Sequence, residues 1–392
     1  MDVLNFLLVG LTLLVLLPVV VFFMQVLMAL RAGRESVLPE GSRPRVAILV
    51  PAHNEASVIA TTLRSIILQL GNEDRMLVVA DNCTDDTAAI AAGEGATVIE
   101  RHDAELRGKG HALEFGIRHL ETNPPDIVII VDADCQADAG TIDRLSRTCD
   151  YTARPVQSLY LMHAPAGAGL TARVAELAWI VRNWIRPLGQ SHLGLPCQLM
   201  GSGMAFPWRL IRNLGMANSN LVEDMKFGID LALAGYPAVF CPDATVTSYF
   251  PSDKMATVTQ RTRWEHGHLS MILHGVPRLL ACAFRIRNFR LVGLAADLVV
   301  PPLTLLTLII TAGFSLNLVF FLSEGFVWPL ILSLIALGLL VAAIAVAWYG
   351  WGRKVISLAS MTAIPFYILF KIPLYLRFLT KRQKSWVKTK RD

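Results

Sequence analysis

Ile127-Val-Ile-Ile-Val131, an unbroken run of five apolar and mostly β-branched residues, constrains the fold more than any other stretch. A strand with one wet face alternates apolar and polar residues. An uninterrupted run this short marks a strand covered on both faces, as in the parallel sheet of an α/β protein. The run follows Asp126 and ends in two carboxylates one residue apart, Asp132 and Asp134. Open α/β sheets bind ligands at the carboxyl ends of their strands. Two hard oxygen ligands there suit Mg²⁺ or Mn²⁺ held against a diphosphate. A strand running into a solvated acidic turn is the simpler reading of the same residues.

Upstream segments repeat the pattern. RVAILVP at 45–51 reads as a first strand, 76–80 as a second and 96–100 as a third. Ile59, Leu63, Ile66, Ile67 and Leu70 keep helical spacing, with Asn54 available as the cap. Thr84 or Asp85 can cap the Ala-rich helix after the second strand. Arg107-Gly-Lys-Gly110 opens a helix bearing Leu113, Ile117 and Leu120. Alternating strands and helices predict a doubly wound, mostly parallel sheet. Further along, 171–188 reads as an amphipathic helix and 236–249 as strands. Ser252 or Asp253 can begin a helix that runs through QRTRW towards Leu280.

The ends of the chain are different. Residues 3–30 carry no charge and, at ~1.5 Å per residue, outreach a ~30 Å hydrocarbon core. A cleaved signal peptide would have a basic residue ahead of a shorter run, so a retained helix is the better reading. Arg31, Arg34, Arg43 and Arg45 follow it, which puts the central part on the cytoplasmic side. Residues 291–322, with one acid at Asp297 and the pair Pro301-Pro302, and 326–350 read as two more spans. A full crossing by 355–370 would put the basic stretch 381–391 outside, so this segment reads as re-entrant or interfacial. The expected division is a transmembrane helix at 1–31, a cytoplasmic catalytic domain at 32–250, an interfacial segment at 251–290, a transmembrane or interfacial region at 291–380 and a basic cytoplasmic tail at 381–392.

A 54% hydrophobic chain with 17% charged residues agrees with a soluble domain flanked by membrane segments. The basic clusters, in a chain of net charge +5, suit anionic lipid headgroups. No recognition motif points to nucleic acid. Cysteines 83, 135, 149, 197, 241 and 282 lack paired metal-type spacing and read as reduced.

The polar motifs fall at expected strand ends and helix starts on one edge of the sheet. Pro51 to Glu55, Asp81, the 107–110 loop and Asp132/Asp134 would converge where a nucleotide binds. Glycines 108 and 110 permit close backbone approach, and Arg107 and Lys109 supply positive charge for phosphates. Taken singly, Asp81 is a turn carboxylate, Asp224 an acid at a helix start, and Trp264 a core or interfacial aromatic.

In order, PAHNE (51–55), DNCTDD (81–86), RGKGHAL (107–113), DADC (132–135), GSGMAF (201–206), ED (223–224) and QRTRW (260–264) resemble the membrane-bound family 2 glycosyltransferases of GT-A fold. That group includes cellulose, chitin and hyaluronan synthases and exopolysaccharide transferases. The resemblance covers about 45–268. It implies a UDP-sugar donor bound by Pro51, Asn54, Glu55, Asp81, Arg107, Lys109, Asp132, Gly201, Gln260 and Arg263. It implies a Mg²⁺ or Mn²⁺ ion on Asp132 and Asp134, an acceptor lined by Gly203, Met204 and Trp264, and Asp224 as catalytic base. His266 and His268 stand as outer groups or as a further metal ligand. The implied activity is an inverting transfer to a lipid-linked or growing glycan at the cytoplasmic face of the inner membrane, in exopolysaccharide or cell-surface polysaccharide synthesis with possible assembly partners. A processive β-polysaccharide synthase is the nearest alternative. A non-catalytic nucleotide-sugar-binding regulator of a synthase is an alternative of another class.

Overall fold

The computed structural model describes residues 3–31, 41–213, 215, 222–251, 254–362, 364, 368–369 and 371–375, with backbone alone for 254–259. They form two compact units. One holds 41–166 and 196–267; the other holds 3–31, 167–195 and 268–375.

The first unit is built on an eight-stranded sheet. Its strands are β1 (Val46–Ala52), β2 (Arg75–Asp81), β3 (Thr97–Arg101), β4 (Ile127–Ile130), β5 (Gln136–Ala137), β6 (Val156–His163), β7 (Met204–Pro207) and β8 (Val239–Tyr249). Their order is β3-β2-β1-β4-β7-β6-β8-β5. Strands β3, β2, β1 and β4 are parallel neighbours, as the alternation of strands and helices predicts. Beyond β4 the sheet is mixed. Strand β7 runs antiparallel to β4 and β6, β6 is parallel to β8, and β5 is antiparallel to β8. All four residues of β4 are buried, which accounts for its lack of alternation. Helices α2 (Ile59–Ile67), α3 (Thr87–Gly93), α4 (Lys109–Leu120) and α5 (Thr141–Thr152) flank the strands, and the short α8 (Trp208–Ile211) follows β7.

Several local expectations are corrected here. The sequence reading leaves β5 to β7 and α5 unassigned, although Ile142, Leu145 and Cys149 of α5 keep helical spacing and are buried. In β6, Gln157 and Ser158 interrupt the apolar pattern although neither is exposed. The Gln157 amide donates to the Ser202 carbonyl at 2.9 Å and accepts from the Met200 amide at 2.8 Å, so a buried polar side chain is satisfied inside the sheet. Within 236–249 the structure has one strand, β8, over 239–249. Asn54 does not cap α2, which begins at Ile59. It sits at φ 56, and its Oδ1 accepts from the Thr84 amide at 2.7 Å. Ser252 and Asp253 lie outside the described residues.

The second unit is helical. It contains α1 (Val3–Ala29), α6 (Leu170–Ile180), a π-helical turn (Val181–Ile185) and α7 (Arg186–His192). Further along the chain come α11 (Phe289–Val299), α12 (Leu303–Glu324), α13 (Val327–Ala347) and α14 (Leu358–Met361). The stretch 291–322 is therefore two helices. Prolines 301 and 302 cannot continue the amide ladder of α11, and Pro302 becomes the cap of α12. Helix α10 (Lys254–Ile286) runs past Leu280. Among the described residues, four helices are long and apolar enough to cross a membrane: Val3–Ala29, Gln260–Ile286, Leu303–Glu324 and Val327–Gly352. The second of these was expected to be interfacial. Arg34, the tail 381–392 and, within 355–370, residues 363, 365–367 and 370 lie outside the described residues.

Helix α4 lies close over the sheet because Gly116 has no side chain. A Cβ there would overlap Leu49 Cδ1 and come within 2.9 Å of Val79 Cγ2. Both neighbours are fully buried and cannot move aside. Gly116→Ala is expected to cost about 1–3 kcal/mol, read as a lowered thermal midpoint of the purified protein.

Candidate active site

The carboxyl ends of β1, β2 and β4 and the start of α4 surround a cavity of ≈ 450 Å³. Pro51, Asn54, Glu55, Asp81, Arg107, Lys109, Asp132, Asp134 and Arg263 all line it. The turn after β1 is fastened to the turn after β2. The Glu55 amide donates to Thr87 Oγ1 at 2.8 Å, the Ala56 amide to Asp85 Oδ2 at 3.2 Å, and the His53 ring meets the Asp81 carbonyl at 2.6 Å.

Asp81 is almost fully buried, and its Oδ1 accepts from Arg101 Nη1 at 2.6 Å and from Asn82 Nδ2 at 3.0 Å. Arg101 also donates to Asp103 and to the Leu106 carbonyl. The sequence reading missed Arg101. Its position follows from the register of the parallel strands, which pairs it with Asp81.

Gly108, at φ 121, turns the chain into α4. The Lys109 ammonium then forms an ion pair with Asp132 and donates to the Gly201 carbonyl at 2.6 Å. Burial alone would lower its pKa; the Asp132 carboxylate outweighs this, Asp224 adds to it, and the pKa is raised. The Asp132 amide donates to Ser202 Oγ at 3.0 Å, and Asp134 Oδ2 accepts from Ser248 Oγ at 3.2 Å.

Asp132, Asp134 and Cys135 can each turn a ligand atom to one point, all within 4.8 Å of one another. Burial, with the Asp134 and Asp132 carboxylates beside it, pushes the Cys135 thiol well up, and a soft sulfur is a poor match for a hard cation. Two carboxylates remain, the hard donor type that Mg²⁺ or Mn²⁺ takes. Neither His266 nor His268 belongs to this group, and His268 Nε2 meets the Leu298 carbonyl at 3.1 Å.

Gly201, at φ 98, abuts the acid expected to be the base. A Cβ on Gly201 would lie 3.2 Å from Asp224 Oδ2. Lys109, Asp132 and Asp224 thus meet around one glycine loop. The structure does not bring Gly201, Gly203, Met204, Asp224, Gln260 or Trp264 to the cavity wall. Gly203 backs onto Ser158 and Val246, Met204 is buried as the first residue of β7, and Gln260 is buried in α10.

Glu223, the first alternative to Asp224 as the base in the sequence reading, stands beside it at the start of α9 (Glu223–Leu233). Its Oε2 accepts from the Gly110 amide at 2.7 Å. Burial pushes its pKa up to about 7, against the lowering influence of Lys109 and the Gly110 amide.

Residues 44–267 match the model of the glycosyltransferase like family 2. A probable glycosyltransferase, YdaM, of Bacillus subtilis (strain 168) is 27% identical over 260 residues, covering 64% of this chain and 60% of that protein. A probable glucomannan 4-beta-mannosyltransferase 11 of Arabidopsis thaliana is 27% identical over 248 residues, covering 57% of this chain and 53% of that protein. The chain thus spans about half the length of the curated relatives it matches. Among solved structures, the mannosyltransferase PcManGT from Pyrobaculum calidifontis, in complex with GDP-Man and Mn²⁺, superposes with a TM-score of 0.56 at 19% identity. That match covers 97% of this chain and 100% of that one, a likeness of fold.

The Glu223 carboxyl has a pH signature. Its folded pKa of about 7 stands above the ordinary 4.5. Its contribution to stability is therefore full below pH 4.5 and is lost as pH rises through 7. A shift of that size corresponds to roughly 3 kcal/mol. Glu223→Gln cannot ionise, so the mutant should gain on wild type between pH 4.5 and 8. Thermal melts of both proteins across that range check it, and parallel curves would contradict it.

Proposed function

The chain belongs to the glycosyltransferase like family 2 and has the GT-A fold, and from that premise we propose that it transfers a sugar from a UDP-sugar to a lipid-linked or growing glycan acceptor, with inversion at the anomeric carbon. The observation that carries the reading is the meeting of Lys109, Asp132 and Asp224 at the Gly201 loop beside the cavity. Asp81 and the turn after β1 would take the base. Lys109, Arg107 and Arg263 would neutralise the diphosphate, which leaves as its bond to the anomeric carbon breaks. Asp224 would take the proton of the acceptor hydroxyl while that oxygen forms the new bond. A divalent ion on Asp132 and Asp134 would add positive charge at the leaving diphosphate. Trp264 would serve the acceptor, as the family resemblance implies, whereas Gly203 and Met204 are packed inside the sheet.

Four apolar helices and the basic residues after α1 support a membrane-embedded enzyme with its catalytic part, 32–250 in the sequence reading, on the cytoplasmic side and in contact with anionic lipids. Surface polysaccharide synthesis, alone or with assembly partners, would be its setting.

Purified protein should turn over one of a panel of UDP- and GDP-sugars with membrane lipid extract as acceptor, products being read by mass spectrometry. EDTA should abolish the activity, and Mg²⁺ or Mn²⁺ should restore it. Asp224→Asn should slow turnover by ~10²–10⁴-fold while donor affinity changes by less than about tenfold. Asp132→Asn should weaken donor binding itself. Near wild-type turnover by Asp224→Asn would move the base elsewhere, and donor binding without transfer to any acceptor would favour a binding protein. In a separate test of topology, a reporter fused near Gly71 should read as cytoplasmic, and export of that reporter would reverse the orientation.

A further inference from the structure

Helix α4 begins without a side-chain cap of its own. Its cap position is Gly108, which carries no oxygen to meet the free amides of the first turn. Those amides matter because Lys109 is the first residue of the helix, and its ammonium reaches Asp132 and the Gly201 carbonyl. The missing acceptor arrives from a distant part of the chain. Glu223 Oε2 takes the Gly110 amide at 2.7 Å, and its Oε1 lies 3.4 Å from the point a Cβ on Gly108 would occupy. Both oxygens therefore face the 107–110 loop, and Glu223 is not part of the cavity wall. The next residue is Asp224, whose carboxylate abuts Gly201.

We propose that Glu223 is a positioning residue, a strap that caps α4 in trans and so holds Lys109 in register with Asp132 and Asp224. The proposal rests on the glycosyltransferase reading for its kinetic consequence, although the strap is a property of the fold. An acid at a helix N-terminus meets both the free amides and the positive end of the helix dipole. The charged groups about it are Lys109, Arg263 and Asp224. With the strap in place, the start of the loop that would meet the diphosphate and the start of the helix that carries the base move as one body. Without it, the first turn of α4 frays and Lys109 loses its fixed place.

Glu223→Ala and Glu223→Gln, each made in the full-length protein, test the strap. The alanine variant should speed amide hydrogen exchange in residues 109–112 by about tenfold, the scale of a lost N-cap. Exchange in β1, β2 and β4 should stay slow. Its donor KM should rise by about tenfold while kcat falls by less, because a cap that orders a binding loop acts on binding first. The glutamine variant keeps an acceptor oxygen and should restore both the exchange protection and most of the KM. Unchanged exchange at 109–112 in Glu223→Ala would falsify the strap. A glutamine variant that holds its KM but loses ~10²–10⁴-fold in kcat would identify Glu223 as a proton acceptor instead. Faster exchange throughout the sheet in both variants would make Glu223 a general support of the fold and overturn the proposal. The exchange measurement needs no turnover, so a protein that transfers no sugar would sink the enzymatic reading and leave the strap standing or falling by itself.

Discussion

The Lys109 ammonium between Asp132 and the Gly201 carbonyl is the contact on which the rest of the site depends. Asp132 and Asp134 come from one stretch of chain and Glu223 and Asp224 from another, and like charges at such range oppose one another. A cation among them offsets that repulsion, and it must be held by backbone as well as by charge if it is to stay in place. The fold arranges this at the N-terminus of α4. A glycine at φ 121 aims the helix, the lysine follows immediately, and a second glycine loop with Gly201 at φ 98 presents a carbonyl to it. In the proposed reaction the same lysine would also meet the diphosphate, so one side chain would serve both the packing of these acids and the donor.

How much of this was legible in the sequence follows from the range of each interaction. Strand β4 and its terminal acids could be read because burial on both faces leaves a local trace, an unbroken apolar run. The same holds for β1, β2 and the helices between them, whose periodicity is short-range. The Arg101 contact with Asp81 was invisible, because it exists only through the register of two parallel strands. Glu223 was underrated for a related reason: its partner, Gly110, lies 113 residues earlier. Strand β6 was hidden by Gln157, a polar residue that looks out of place until the backbone of Met200 and Ser202 is seen to satisfy it. Asn54 was a plausible cap by type, but Thr84 competes for its side chain.

The helical unit follows the same logic with the polarity reversed. In an apolar surrounding, an acid needs partners of its own, and Asp297 has them. Its Oδ1 accepts from Arg186 Nη2 at 2.8 Å and from Gln25 Nε2 at 2.7 Å, while Gln25 Oε1 accepts from Arg186 Nε at 3.1 Å. All three residues are buried, and they come from α1, α7 and α11. A second tie uses Asn317 of α12, which donates to Thr12 of α1 at 3.0 Å and to the Pro329 carbonyl of α13 at 3.1 Å. Apolar packing alone specifies poorly which helices meet, since one leucine face suits another. Hydrogen bonds that cost heavily when left unmade do specify it. Asp297, the one acid in a long apolar stretch, is therefore better understood as the choice of neighbour for α11 than as an exception to the membrane pattern. The adjoining Pro301-Pro302 break allows α11 to end where that choice is made.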